Sequence, residues 1–226
     1  MLRLVALAIL PLLVLCAGAL GLVLAAPAPP DPLVEQVLHE GCEGASGSCW
    51  YGIVPGVTTF QEAIERLRQH PWIGAIDISE MPSPYVSWLW KPDAPAAVRG
   101  GNAPAGGYAW VGYPVYHQIE GVHVWTALPV ASFWLALGPP DEAGDAVGVV
   151  NYRAGYTGAD GGGRVLASAF QHGTLVLHSG FPCSATAREF FSAPAAISVY
   201  VQAPRTLGGL QPGGLREWLY GAACGG

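Results

Sequence analysis

The chain has 226 residues, 10 lysine and arginine side chains against 16 aspartates and glutamates, and a formal charge of −6. With no basic cluster, that balance excludes a nucleic-acid surface, because phosphate backbones demand grouped Lys and Arg. Charged residues are only 12% of the chain and glycine and proline number 31 and 20, yet eight tryptophans spread among Val, Ile and Leu predict a packed, loop-rich fold and not a disordered one.

Leu4 to Ala26 form an almost unbroken apolar run of about 23 residues behind Met1-Leu2-Arg3, long for a signal-peptide core and long enough as a helix to span a bilayer. It reads in two ways over 1–26. Small residues at Ala25 and Ala26 suit a signal peptidase, whereas the length and the absence of a polar break suit an uncleaved membrane anchor. In both readings Arg3 stays inside and 27–226 is exported, either secreted or periplasmic after cleavage or held at the membrane by the N-terminal segment. Leu15 directly before Cys16 argues against lipidation. The remaining 200 or so residues suffice for one domain with its own core.

Four further cysteines, Cys42, Cys49, Cys183 and Cys224, allow three pairings. The flexible Glu-Gly-Ala-Ser-Gly-Ser between the first two favours Cys42 with Cys49, leaving Cys183 for Cys224. Zinc is disfavoured, since there is no C-x2-C pair and no histidine at ligand spacing.

In chain order, Asp31-Pro32 marks a first short helix, with Val34, Val37 and Leu38 on one face and Gly41 as terminator. Thr59-Phe60-Gln61-Glu62 is a capping box opening an amphipathic helix that carries Ala63, Ile64 and Leu67 and stops before Pro71. The period then changes to two, predicting strands at 72–78, 85–90, 108–116 and 122–128, with a hairpin at Gln118-Ile119-Glu120-Gly121 and a long loop over 91–107. A helix at 130–137 ends at Gly138-Pro139-Pro140. Strands return at 147–152, 164–170, 174–179 and 197–201, with a hairpin at Gln171-His172-Gly173, and 215–220 reads as a last short helix. The result is an α+β fold, an antiparallel sheet with helices on one face, and a helix-then-strands rhythm that suggests tandem subunits over 50–128 and 129–226.

Gly52-Ile53-Val54-Pro55-Gly56-Val57-Thr58-Thr59 ahead of an amphipathic helix resembles the lead-in to the first helix of small exported proteins of the BamE (SmpA/OmlA) and β-lactamase-inhibitor-protein-like type. Leu137-Gly138-Pro139-Pro140-Asp141 resembles the turn leaving a helix in that group, and Cys49-Trp50-Tyr51-Gly52-Ile53 is similar to a set of uncharacterised bacterial envelope proteins. The resemblance covers about 40 residues and implies a fold and an export route, not a chemistry. The chain departs from BamE-type proteins in its length, its second unit and its lack of a lipobox.

Strand alternation supplies a candidate site. Ala109 and Val111 share one face of the third strand while Trp110 and Tyr116 share the other; on the next, Val122, Val124, Thr126 and Leu128 oppose His123 and Trp125. With Trp88 and Trp90, which project together, the set Trp88, Trp90, Trp110, Tyr116, His123 and Trp125 is a candidate binding face for an envelope protein or a glycan, provided these rings do not fill the core. His117 with His123 and His172 with His178 flank hairpins and, with Glu120 or Asp145, would be the only metal candidates; no metal or cofactor is expected. No G-x-S-x-G, H-E-x-x-H, P-loop or G-x-G-x-x-G is present, and Asp160-Gly161-Gly162-Gly163 lacks the context of a phosphate cradle. Cys183 with His178 as a nucleophile pair is disfavoured, because exported cysteines pair. The expectation is a non-enzymatic binding module, with a cell-wall hydrolase using carboxylates among Glu80, Glu120, Asp141 and Glu142 as the alternative.

Overall fold

A computed structural model describes residues 31–45, 47–79, 84–99, 106–111, 117–145, 163–182 and 186–202. The leader, Tyr116, Cys183, Cys224, Glu80 and the expected elements at 147–152 and 215–220 lie outside the described residues. No helix among the described residues is long and apolar enough to cross a membrane.

Three of the five described helices start where the sequence supplies a side-chain cap. In α1 (Pro32–His39) the Asp31 carboxylate accepts the Leu33 N–H at 2.9 Å, with Pro at the first turn. In α2 (Phe60–Gln69) the Thr59 hydroxyl accepts the Glu62 N–H while the Glu62 carboxylate accepts the Thr59 N–H, the reciprocal box its sequence predicts. A one-turn helix, α3 (Ala96–Arg99), interrupts the expected 91–107 loop because Val98 is drawn into the core. α4 spans Val130–Leu137, and α5 (Ala187–Ser192) opens on a second capping box, Thr186 with Glu189.

The strands are β1 (Ile73–Ser79), β2 (Tyr85–Trp90), β3 (Gly106–Val111), β4 (Ile119–Pro129), β5 (Glu142–Asp145), β6 (Gly163–Phe170), β7 (Leu175–Pro182) and β8 (Pro194–Tyr200). They form one antiparallel sheet in the order β1-β2-β3-β4-β8-β7-β6-β5, two four-strand meanders joined through β4 and β8. β3 and β4 pair antiparallel as expected, but the turn placed at 118–121 is corrected: β4 is already extended at Ile119. Ile119 donates its N–H to the Thr58 carbonyl and accepts from the Gly56 N–H, so the lead-in to α2 pairs with this backbone and overrides its local turn preference.

Register assigns every side chain to a face. Trp88 pairs with Gly107, Gly107 with Val124, Val124 with Ile197 and Ile197 with Leu177, so these residues share one face. The buried residues of all five helices, among them Val34, Leu67, Val98, Phe133 and Phe190, join that face in one core. Each large side chain so buried contributes roughly 1.5–3 kcal/mol. Trp50, after the disulfide loop, stacks on Trp88 with centroids 5.1 Å apart and ties the N-terminal segment to the sheet.

Candidate functional site

The opposite face carries a different set. A continuous row crosses all eight strands: Asp77, Ser87, Tyr108, His123, Ser198, Val176, Ala169 and Glu142. Beside it run Tyr85, Trp110, Gly121 and Tyr200 on one flank and Trp125, Ala196, His178 and Ala167 on the other. The rings close into a cluster. Tyr108 lies 5.4 Å from both Trp110 and Trp125 by ring centroids, and His123 lies 4.6 Å from Trp125. Gly121 makes this packing possible, since a β-carbon there would overlap the Trp110 ring.

His123 and His178 sit at the centre. They come from β4 and β7 and meet across β8 with centroids 5.8 Å apart, because β8 presents only Ala196 and Ser198 between them. The Ser198 hydroxyl and His123 Nδ1 share a hydrogen bond of 2.7 Å. Both imidazoles are fully buried. Burial holds His178 down to about 4; burial and then the neighbouring His178 hold His123 well below the usual histidine range. The Tyr108 phenol is pushed up to about 12 by burial and by Tyr200, whose own phenol is raised by burial. At neutral pH the centre of this face is therefore uncharged.

Exposure grows toward β2. Tyr108, Trp110, Trp125 and Tyr200 are half-buried, whereas Tyr85 and Leu89 are 38% and 54% exposed. Thus the structure brings together Trp110, His123 and Trp125 of the expected face. Trp88 and Trp90 do not belong with them. Their parity on β2 puts them on the helix-covered side, buried, with the Trp90 indole N–H donating to the Trp125 carbonyl at 3.2 Å. Tyr85, Leu89, Tyr108 and Tyr200 take their place. The alternation of β2 separates 85, 87 and 89 from 86, 88 and 90, but only the pairing of Tyr85 with Trp110 says which set joins the aromatic side.

The histidine pairs expected at the hairpins do not form. His117 and His172 are exposed, while His123 and His178 turn inward to each other. Among the described residues no three metal-ligating side chains come together. Of the carboxylates, Asp141 accepts the His172 N–H at 3.0 Å, and Asp77 and Glu142 end the cross-sheet row seven strand spacings apart, roughly 30 Å or more at about 4.8 Å each.

A second concave region lies between the Cys42–Cys49 disulfide and the turn Gln171–Gly173. Gln171 and His172 hold positive φ of 51° and 58°, and the turn is fixed from two sides. The Ser48 hydroxyl bonds Gln171 Oε1 and Thr174 Oγ1, each at 2.6 Å, and Asp141 takes the His172 N–H. The cleft is lined by Leu38, Leu137 and Leu175 together with His39 and Ser48.

No family model, curated protein or solved structure matches the chain.

Proposed function

We propose that this chain is an exported envelope module that binds a partner protein through the aromatic side of its sheet, from Trp125 and Tyr108 out to Trp110, Tyr85 and Leu89. One observation carries the reading. With the core of the described helices on the other side, the face grades from a packed aromatic centre to exposed Tyr85 and Leu89, an apolar surface of the kind partner proteins cover. Tyrosine and tryptophan supply such surfaces with contact area at small entropic cost. In this reading residues 1–26 deliver the domain across the membrane as a signal peptide or hold it there as an anchor, with an apolar helix in either form. The element order is consistent with a tandem repeat, α2 and α4 each followed by four strands with one further short α-helix among them, and with the BamE and β-lactamase-inhibitor-protein-like resemblance of the α2 lead-in.

A glycan ligand is the second reading, favoured by the Trp110, Tyr108 and Trp125 rings lying side by side; their mutual tilts of 40° and 48° suit a protein's irregular surface better than a flat sugar. Hydrolysis, which needs two carboxyls within about 10 Å, draws no support from the cross-sheet row, whose carboxylates Asp77 and Glu142 stand at its opposite ends.

The test is site-specific photo-crosslinking in the producing cell, with the probe at Leu89 and, as control, at Leu135, which is 62% exposed on α4. A discrete protein adduct from position 89 and none from 135, abolished by Trp110→Ala, is expected. Equal adducts from both positions, or none from 89, overturn the reading; saturable fluorescence quenching by cell-wall oligosaccharides without any adduct moves it to the glycan.

A further inference from the structure

We propose that a small aromatic recess at the C-terminal end of α1 binds a primary alkylammonium group, carried by a free aliphatic amine or by a lysine side chain. The recess lies on the helix side of the sheet and is independent of the partner face proposed above. Trp50, Tyr51, Trp72 and Trp90 line it together with His70, and α1 borders it with Gln36 and Glu40. Trp50 stacks on His70 at 5.8 Å and meets Trp90 edge-on at 6.3 Å, while Trp72 and Tyr51 lie 5.5 and 4.0 Å from His70 by ring centroids. The faces of such rings attract a cation, most strongly where water is excluded, and Trp50, Trp90 and His70 are all buried.

Glu40 supplies the countercharge. Its N–H donates to the Gln36 carbonyl at 3.1 Å, so the two side chains stand one helical turn apart, at the end of α1 whose last carbonyls favour a cation. The Glu40 charge reaches the rings: the Tyr51 phenol is raised by burial and then by Glu40. His70 brings no competing charge at neutral pH, because burial and then Lys91 hold it down to about 4, and its Nδ1 accepts the Trp72 N–H at 3.1 Å. Lys91 donates its Nζ to the Pro71 carbonyl at 2.8 Å and does not line the recess. Size selects the head group. The free volume is about 10 Å³, room for one group the size of water, which suits –NH3+ with its alkyl stem leading outward and is too small for a quaternary ammonium. Tyr51 is placed there at a cost to the backbone. It opens the two-residue turn between the paired Trp50 and Ile53, where Tyr51 and Gly52 have φ of 45° and 72°, a conformation that Asn-Gly adopts readily and a bulky side chain does not. Strain of this kind is found where a side chain is held for a ligand.

The experiment follows the backbone and indole N–H resonances of the isotope-labelled, purified full chain at neutral pH and constant ionic strength as n-butylamine is added. Saturable shifts at Trp50, Tyr51, Trp72 and Trp90, with none at Trp110 or Trp125, are expected. Tetramethylammonium and n-butanol, which keep the charge without the small head and the stem without the charge, should produce none. Glu40→Gln and Tyr51→Asn should each weaken binding at least about fivefold while the remaining resonances stay in place; Tyr51→Asn suits the turn, so a purely structural role for Tyr51 would leave amine binding unchanged. Nα-acetyl-lysine N-methylamide distinguishes the sources: affinity equal to that of n-butylamine assigns the recess to a free amine, and affinity at least fivefold higher assigns it to a peptide lysine. Absence of saturable shifts with both amines, equal shifts with tetramethylammonium or n-butanol, or unchanged affinity in either variant overturns the proposal. Should a variant not fold, the comparison of n-butylamine with n-butanol and tetramethylammonium on the wild-type chain decides. None of these outcomes bears on the crosslink at Leu89, so the recess and the partner face fail separately.

Discussion

The two sides of this sheet draw on the same residue types and put them to different uses. On the helix side Trp50 and Trp90 pack against His70, Trp88 stacks on Trp50, and buried apolar side chains from five helices complete the core. On the other side Tyr108 and Trp125 pack against His123, which meets a second histidine, Trp110 packs against Tyr108, and among the described residues no helix joins them. Both sides lay an indole over a glycine, Trp88 over Gly107 and Trp110 over Gly121. A ring set on glycine is therefore a packing device common to both faces. What separates them among the described residues is the layer beyond the ring: on one side helices supply it and the tryptophan contributes to the core, and on the other the proposed function assigns the tryptophan to a partner.

Truncation breaks or sharpens that comparison most directly. Trp88→Ala removes a buried indole stacked on Trp50 and should cost about 4 kcal/mol. Trp110→Ala removes a half-buried one and should cost closer to about 1 kcal/mol, while abolishing the crosslink at Leu89. Urea unfolding of the two variants measures both, and equal losses would mean that the aromatic side is as much core as the helix side.

Acid compares the faces next. His178 is neutral and buried when folded, so its pKa falls from an unfolded value near 6.5 to about 4. Between those values the unfolded chain binds more protons, so stability rises with pH. The contribution is fully present above about pH 6.5 and is lost as pH falls toward 4, a loss of about 3 kcal/mol for His178 alone. His70 shifts in the same direction, also down to about 4, so His70→Gln and His178→Gln should flatten the acid limb by similar amounts. Chemical unfolding at pH 7, 5.5 and 4.5 compares the two, and flattening by only one of them would place the acid-sensitive site on that side alone.

The disulfide belongs to neither face. Cys42 and Cys49 close a short loop, and cross-linking so few residues stabilises by about 2 kcal/mol through the unfolded chain. Ser48 carries that loop's hydrogen bonds to Gln171 and Thr174. Cys42→Ser/Cys49→Ser should therefore also speed proteolysis at the 171–173 turn, which limited digestion followed by mass spectrometry would show.

Much of this layout is written locally. The caps at Asp31 and Thr59, the 130–137 helix and the split of β3 and β4 into aliphatic and other faces follow from residues within a few positions of each other. The close spacing of Cys42 and Cys49 likewise makes their pairing readable. The side chosen by Trp88 and Trp90 is not local, because alternation groups residues but only cross-strand pairing with β3 attaches the group to a face. The His123–His178 contact is harder still, since it depends on β8 entering between β4 and β7 with small residues at 196 and 198. The 118–121 stretch misleads for the same reason: its extended state comes from Gly56 and Thr58, some 60 residues earlier.

The smallest effect compares the two halves of the chain. Thr59 and Thr186 make the same capping box at the start of α2 and α5, each hydroxyl accepting the N–H of the glutamate three residues on, at 3.2 and 3.3 Å. Thr59→Ala and Thr186→Ala should each cost about 1 kcal/mol, the usual value of such a cap. Their consequences should nevertheless differ. α2 is a ten-residue helix whose lead-in pairs with β4, so fraying its first turn loosens the centre of the sheet. α5 has six residues and rests on Phe190, which packs edge-on to Trp134 of α4, so its loss stays on the helix side. Amide exchange at β4 should accordingly quicken in Thr59→Ala and not in Thr186→Ala, and equal exchange in the two would show that the helices reach the sheet only through the shared core.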